Sequence, residues 1–173
     1  MVVAPYLDTL LLLLAAAAAI NDLASRRIPN LLLLCGLAGA LVLHALSAEP
    51  GAALLSSLGG FAAGLLIFLP FYLVRGMAAG DVKMMATVGA FTGPATALHI
   101  AIMAWCAGGA MALAIIVLRG RLRLAVGNLW RIGRAALLRM PAGAAGKSES
   151  AGSMPYGVAI AAGTIYVIAM RYS

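Results

Sequence analysis

From Ala52 to Val74 the chain runs for 23 residues without a charged side chain. As a helix this stretch would be about 35 Å long, enough to cross a hydrocarbon layer about 30 Å thick. A protein of 173 residues has no soluble core large enough to bury such a helix on every side. Similar uncharged runs occupy Thr9–Ile20, Leu31–Leu46 and Ala95–Leu118. The composition agrees: 64% of residues are hydrophobic and 10% charged, where soluble domains have about 45–50% and about 25%. An all-α polytopic membrane protein is expected, with residues 1–173 forming a single membrane domain. Partnership with the lipid bilayer follows. The net charge of +7 is then read as lysines and arginines anchoring cytoplasmic loops, and no nucleic-acid partner is expected.

Leu10–Ala19 has the look of a signal-peptide core, but no Lys or Arg precedes Arg26. It is therefore read as a retained first span, about Tyr6–Leu23. Pro29 biases Ile28 away from helix, and Asn30 can cap a second span over Leu31–Leu46. The turn Ser47–Gly51 leads to a third span, Ala52–Val74, with Pro70 in its last turns. Val82–Thr92 is apolar but stops at Gly93-Pro94. Its eleven residues reach only about 16 Å, so the fourth helix is short. A fifth span covers Ala95–Leu118 and a sixth runs to about Met170. Between them, Arg119–Met140 interleaves arginines with apolar residues and reads as a basic amphipathic cytoplasmic segment. Residues 141–153 read as a flexible linker.

Six transmembrane helices with both termini outside place eleven of the twelve basic residues on one side, leaving Arg171 opposite. The same topology brings Asp22, Asp81 and Pro155 to one cytoplasmic depth. Asp8 and Glu49 fall on the other side and Glu149 in the linker, so they are poor partners for either aspartate. Ionisable groups within a membrane are costly and are functional candidates by default.

Two carboxylates a few ångströms apart cannot both ionise cheaply. An ionised one can take a proton from water while a protonated one donates to a peptide carbonyl, which is the aspartic-protease route to amide hydrolysis. Spacing alone is equally compatible with two hydrated helix caps at the membrane surface. Gly80 is expected to allow close backbone approach or a positive φ beside Asp81, or else to be a simple turn glycine. Lys83 either biases the pair or contacts an acidic substrate group, unless it only snorkels to the interface. Pro155, Tyr156 and Gly157 form a backbone entry next to the site or a plain helix start. His44 and His99 have no partner at metal-ligand spacing, and Cys35 and Cys106 are isolated thiols, so no metal and no cofactor are expected.

Three blocks carry a family resemblance: Asp22 with Arg27-Ile28-Pro29-Asn30, Gly76–Lys83 containing Gly80-Asp81, and Met154–Ala159 containing Pro155-Tyr156-Gly157. In these the chain resembles the type IV prepilin peptidases, within the G-x-G-D class of intramembrane aspartyl proteases. The small Tad-pilus type is similar in layout. Ala78 replaces the first glycine of G-x-G-D, and a positive φ there would strain alanine. The resemblance implies a bacterial inner-membrane aspartic endopeptidase with Asp22 and Asp81 as catalytic residues. It implies cleavage of prepilin-like precursors at the cytoplasmic face, just after the leader's terminal glycine. Larger members also methylate the new N-terminus through a segment carrying C-x-x-C pairs, and peptidase activity without methyl transfer is expected here. The alternative from another class is a small transporter or channel, or a structural subunit of a secretion or pilus assembly complex. Such a protein should carry polar or charged groups at mid-depth in several spans, or internal repeats. Neither is found, and the second and fifth spans hold little besides His44, His99 and Trp105 that is not small or apolar.

Overall fold

The computed structural model describes residues 3–120, 127, 130 and 154–173. Among these the chain is all-helical, without strands. The helices are α1 (Ala4–Ser25), α2 (Asn30–Ala45), α3 (Pro50–Leu73), α4 (Ala79–Thr92), α5 (Pro94–Leu118) and α6 (Tyr156–Ala169). By length and apolar composition α1, α3 and α5 can each cross a membrane, while α2 and α6 are shorter apolar helices. The chain is a polytopic membrane protein. It divides into two compact units, residues 1–108 with 155–173, and residues 109–154. In the second unit the described residues are mainly the last turns of α5 and a turn at Gly120, where φ is 63°. The expected basic amphipathic segment and linker lie almost entirely outside the described residues.

The first unit is organised around α4. Its residues Asp81, Val82 and Met84–Phe91 are all buried. A helix buried on every face must be covered on every face. Helices α1, α2, α3 and α6 provide that cover. The tightest contact is with α3, whose buried stripe is Ser57, Gly60, Gly64 and Phe68. A Cβ at Gly60 would collide with the Gly89 carbonyl, and one at Gly64 with the Met85 carbonyl. The two backbones therefore pack directly on one another. In a bilayer, where lipid tails are as apolar as leucine, such dense van der Waals packing is the main cohesive force between helices. The G-x-x-x-G spacing of Gly60 and Gly64 was the available sequence signal for this seam.

On α1 the buried stripe is Asp8, Leu11, Leu14, Ala15, Ala18 and Asp22, the one-face periodicity of a helix. Asp8 and Asp22 thus share the face that meets α6, separated by about 21 Å of helix. At the Asp8 end, Arg171 donates to Asp8 Oδ1 at 3.2 Å and to Thr96 Oγ1 at 3.1 Å, and the Tyr172 hydroxyl donates to Asp8 Oδ2 at 2.8 Å. These bonds tie the start of α1 and the start of α5 to the end of α6. The charge pattern placed Asp8 and Arg171 on one side but did not pair them.

Helix ends follow local chemistry. Arg26 closes α1 in the left-handed region, with φ 55° and its N–H on the Asp22 carbonyl at 2.9 Å. Arg75 at φ 59° closes α3, where Gly76 N–H reaches the Phe71 carbonyl at 2.8 Å; this is the 6→1 bond of a Schellman turn. The fourth helix begins at Ala79, three residues before the expected start, and ends at Gly93 as expected. Gly93 has φ 77° and Pro94 opens α5. The remaining sequence boundaries agree within a few residues. One cap differs: Pro29, not Asn30, precedes α2, with an extended ψ of 127° and no side-chain cap. Asn30 is engaged elsewhere. His44 Nε2 lies 3.1 Å from the Ala90 carbonyl and must carry a hydrogen to donate to it. It satisfies a carbonyl in the last turn of α4, a structural role.

Candidate active site

Asp22 lies in the last turn of α1 and Asp81 in the first turn of α4; each is only 6% exposed. Fifty-eight residues of chain separate them, yet the carboxylates lie within electrostatic reach of one another. Each has a backbone donor. Asp22 Oδ2 accepts from Gly157 N–H at 2.8 Å in a buried bond. Asp81 Oδ2 accepts from Ala78 N–H at 3.3 Å, the reach-back that an acidic residue at the third helical position makes.

Gly157 stands at the second position of α6, after Pro155, whose non-helical ψ of 85° places it as the residue before the helix. A Cβ at Gly157 would sit 2.9 Å from Asp22 Oδ2 and 3.1 Å from Ile28 Cδ1. Close backbone approach to the site is therefore made by Gly157. Gly80 does not make it. Gly80 lies inside α4, has no positive φ, and a Cβ there would meet Ile28 only at ordinary contact distances of 3.5 Å and beyond. The sequence expectation put the tight approach at the wrong glycine, because the neighbours of each depend on how α6 and the α1–α2 loop pack. Ile28 faces both glycines and joins the three sequence blocks in space.

Ala78 has φ −80° and ψ 151°. This is extended backbone open to any residue, so replacement of glycine brings no strain. Tyr156 is half-buried. Its ring meets Phe68 edge to face at 6.0 Å, and Phe68 stacks on Trp105 at 6.1 Å. Gly108 leaves room for the Tyr156 ring, since a Cβ there would be 2.6 Å from Cε2. The aromatic wall of Phe68, Trp105 and Tyr156 escaped the sequence reading because its members are distant along the chain.

Lys83 is not brought onto the aspartates. It is exposed and donates to Asn30 Oδ1 at 3.1 Å. Two positions along a helix turn the side chain about 200° from Asp81. Among the described residues no three of His, Cys, Asp and Glu converge as metal ligands.

The geometry is thus a pair of buried carboxylates at helix ends, one with an oxygen held by a backbone amide from a third helix. A family model described as the type IV leader peptidase family matches residues 9–113. The chain belongs to the type IV leader peptidase family. The match spans both aspartates and most of α1–α5. It stops short of Pro155–Gly157, so that block is tied to the site by the Gly157–Asp22 bond. Searches of curated proteins and of solved structures returned no match. Membership makes the protein a peptidase of membrane-embedded helices.

Proposed function

We propose that this leader peptidase is an aspartic endopeptidase in which Asp22 and Asp81 share the chemistry. The observation that carries this is a pair of buried carboxylates from α1 and α4 within electrostatic reach of one another, with Asp22 Oδ2 held by Gly157 N–H. Like charges in a buried pair favour a state with one proton between them. The ionised carboxylate removes a proton from a water as that water attacks the scissile carbonyl carbon. The protonated one donates to the carbonyl oxygen. As the tetrahedral intermediate collapses, the carboxyl that took water's proton passes it to the leaving nitrogen, the other carboxylate recovers a proton from the intermediate's hydroxyl, and the amine departs.

The substrates are prepilin-like membrane-anchored precursors, and cleavage removes their leader peptide at the cytoplasmic face of the inner membrane. Both termini lie on the opposite side, a topology supported by the distribution of basic residues. The chain carries Cys35 and Cys106 without a C-x-x-C pair, and the reading is peptidase activity without methyl transfer, in the small Tad-pilus manner. The test is incubation of the purified protein with candidate prepilins, mapping new N-termini by mass spectrometry. One cut after the leader glycine, lost in Asp22→Asn and in Asp81→Asn, is expected. A wild-type rate in either variant at matched protein level would sink the dyad.

A further inference from the structure

On the side of α4 away from Asp81, the structure contains a groove of about 380 Å³ between α2, α3 and α4. Leu33, Leu34 and Leu37 of α2 form one wall, and Phe61 and Leu65 of α3 the other. One end is polar: Lys83 in the first turn of α4 and Asn30 at the first position of α2. Both are helix starts, so the groove runs from a membrane surface into the apolar layer.

The polar end is electrically incomplete. Lys83 has a neutral partner, Asn30, and forms no ion pair among the described residues. Because Lys83 can only donate, the atom facing it is the Asn30 amide oxygen, and the amide N–H2 points elsewhere. Two N–H groups on each residue remain for a further acceptor. A cation and an amide at the head of an apolar channel complement a ligand with an anionic head and a hydrocarbon body. Basic pockets between membrane helices are suited to anionic lipid headgroups.

A substrate peptide with an acidic residue has the same complementarity, but the geometry disfavours it. Lys83 projects about 200° round the helix from Asp81, and Asp81 is buried within electrostatic reach of Asp22 on α1 while Lys83 is exposed. The groove backs the catalytic helix and does not lead to the aspartates. We propose that it is a binding site for one anionic phospholipid, its phosphate on Lys83 and Asn30 and an acyl chain along the α2 and α3 walls. The lipid fills the cleft between α2 and α3 beside the first turns of α4 and braces the helix that carries Asp81.

The test uses the full chain purified in detergent, with phosphatidylglycerol and phosphatidylcholine as probes and lipid retention read by native mass spectrometry. Wild type should retain phosphatidylglycerol preferentially. Lys83→Gln should lower that retention about fivefold, the worth of one lysine near an anionic surface, and Lys83→Arg should keep it. Leu37→Trp, which fills the groove, should lower retention of both lipids. A monodisperse Lys83→Gln protein that retains phosphatidylglycerol like wild type overturns the proposal. So does equal retention of the two lipids by wild type. If Lys83→Gln changes which peptides are cleaved while leaving lipid retention intact, the groove belongs to a peptide and the lipid assignment is wrong.

Discussion

Gly157→Ala is the most direct probe of how the site is assembled. The added methyl would lie 2.9 Å from Asp22 Oδ2 and 3.2 Å from Asp22 Cβ, with Ile28 Cδ1 at 3.1 Å on the other side. Carbon–oxygen contact needs a few tenths of an ångström more, and Ile28 blocks the opposite escape. The start of α6 must therefore move off Asp22, and the 2.8 Å bond from Gly157 N–H lengthens. A hydrogen bond to a charged group contributes about 1.5–3 kcal/mol. Loss of that much positioning energy from the reacting state corresponds to a rate reduction of about 10- to 150-fold. Displacement of a catalytic group by about 1 Å costs a similar factor. Gly80→Ala is the matched control. Its methyl meets Ile28 at 3.5 Å, and alanine favours helix over glycine by about 0.5–1 kcal/mol. It should cleave at close to the wild-type rate and melt slightly higher. The assay is single-turnover cleavage of a prepilin in detergent, with thermal unfolding measured on the same preparations. Wild-type turnover by Gly157→Ala would falsify the positioning argument, and loss of activity confined to Gly80→Ala would return the close approach to Gly80.

Asp22→Asn and Asp81→Asn should each reduce cleavage by at least about a thousandfold while the protein still inserts and runs monodisperse, since neither half of an acid–base pair replaces the other; cleavage assays with size-exclusion profiles check this. Gly60→Ala and Gly64→Ala should lower the unfolding temperature, at about 1–3 kcal/mol for an over-packed contact, and slow cleavage as well, because the displaced α4 carries Asp81. Thermal unfolding separates these from Gly51→Ala, where a Cβ would meet nothing within 4 Å. At the far end of the α1–α6 seam, Arg171→Gln should cost about 1 kcal/mol or less of stability, since the pair is partly exposed, and should leave cleavage unchanged. The hydrogen bond to Asp8 raises the Tyr172 hydroxyl above its ordinary pKa of 10.0. A raised pKa means that this contribution is fully present below about pH 10 and is lost as pH rises through the higher folded value. The melting difference between wild type and Tyr172→Phe should therefore be constant from pH 7 to 9 and vanish in strong alkali.

Much of the helical plan was legible because it rests on local chemistry. Uncharged runs, Pro29, the Gly93-Pro94 break and turn residues near Ser47–Gly51 place helix ends within a few residues. Asp22 and Asp81 stood out for the same reason: a carboxylate beside hydrocarbon is costly wherever the chain goes. What escaped were relations between surfaces. Asn30 looks like a cap in sequence, but Lys83 takes its oxygen. Ala78 looked like the weak letter of its motif, yet its backbone is extended and unstrained.

From sequence alone the protein was determined to be a bundle of membrane helices with a short fourth member and two candidate carboxylates. Those properties follow from residue-by-residue transfer energies and backbone preferences. Tertiary structure alone decided that Gly157, and not Gly80, makes the close approach, that α3 and α4 meet backbone to backbone, and that Asp8 finds Arg171. These depend on which faces of distant helices come together. Small differences in shape decide that between apolar surfaces, and no local pattern records them.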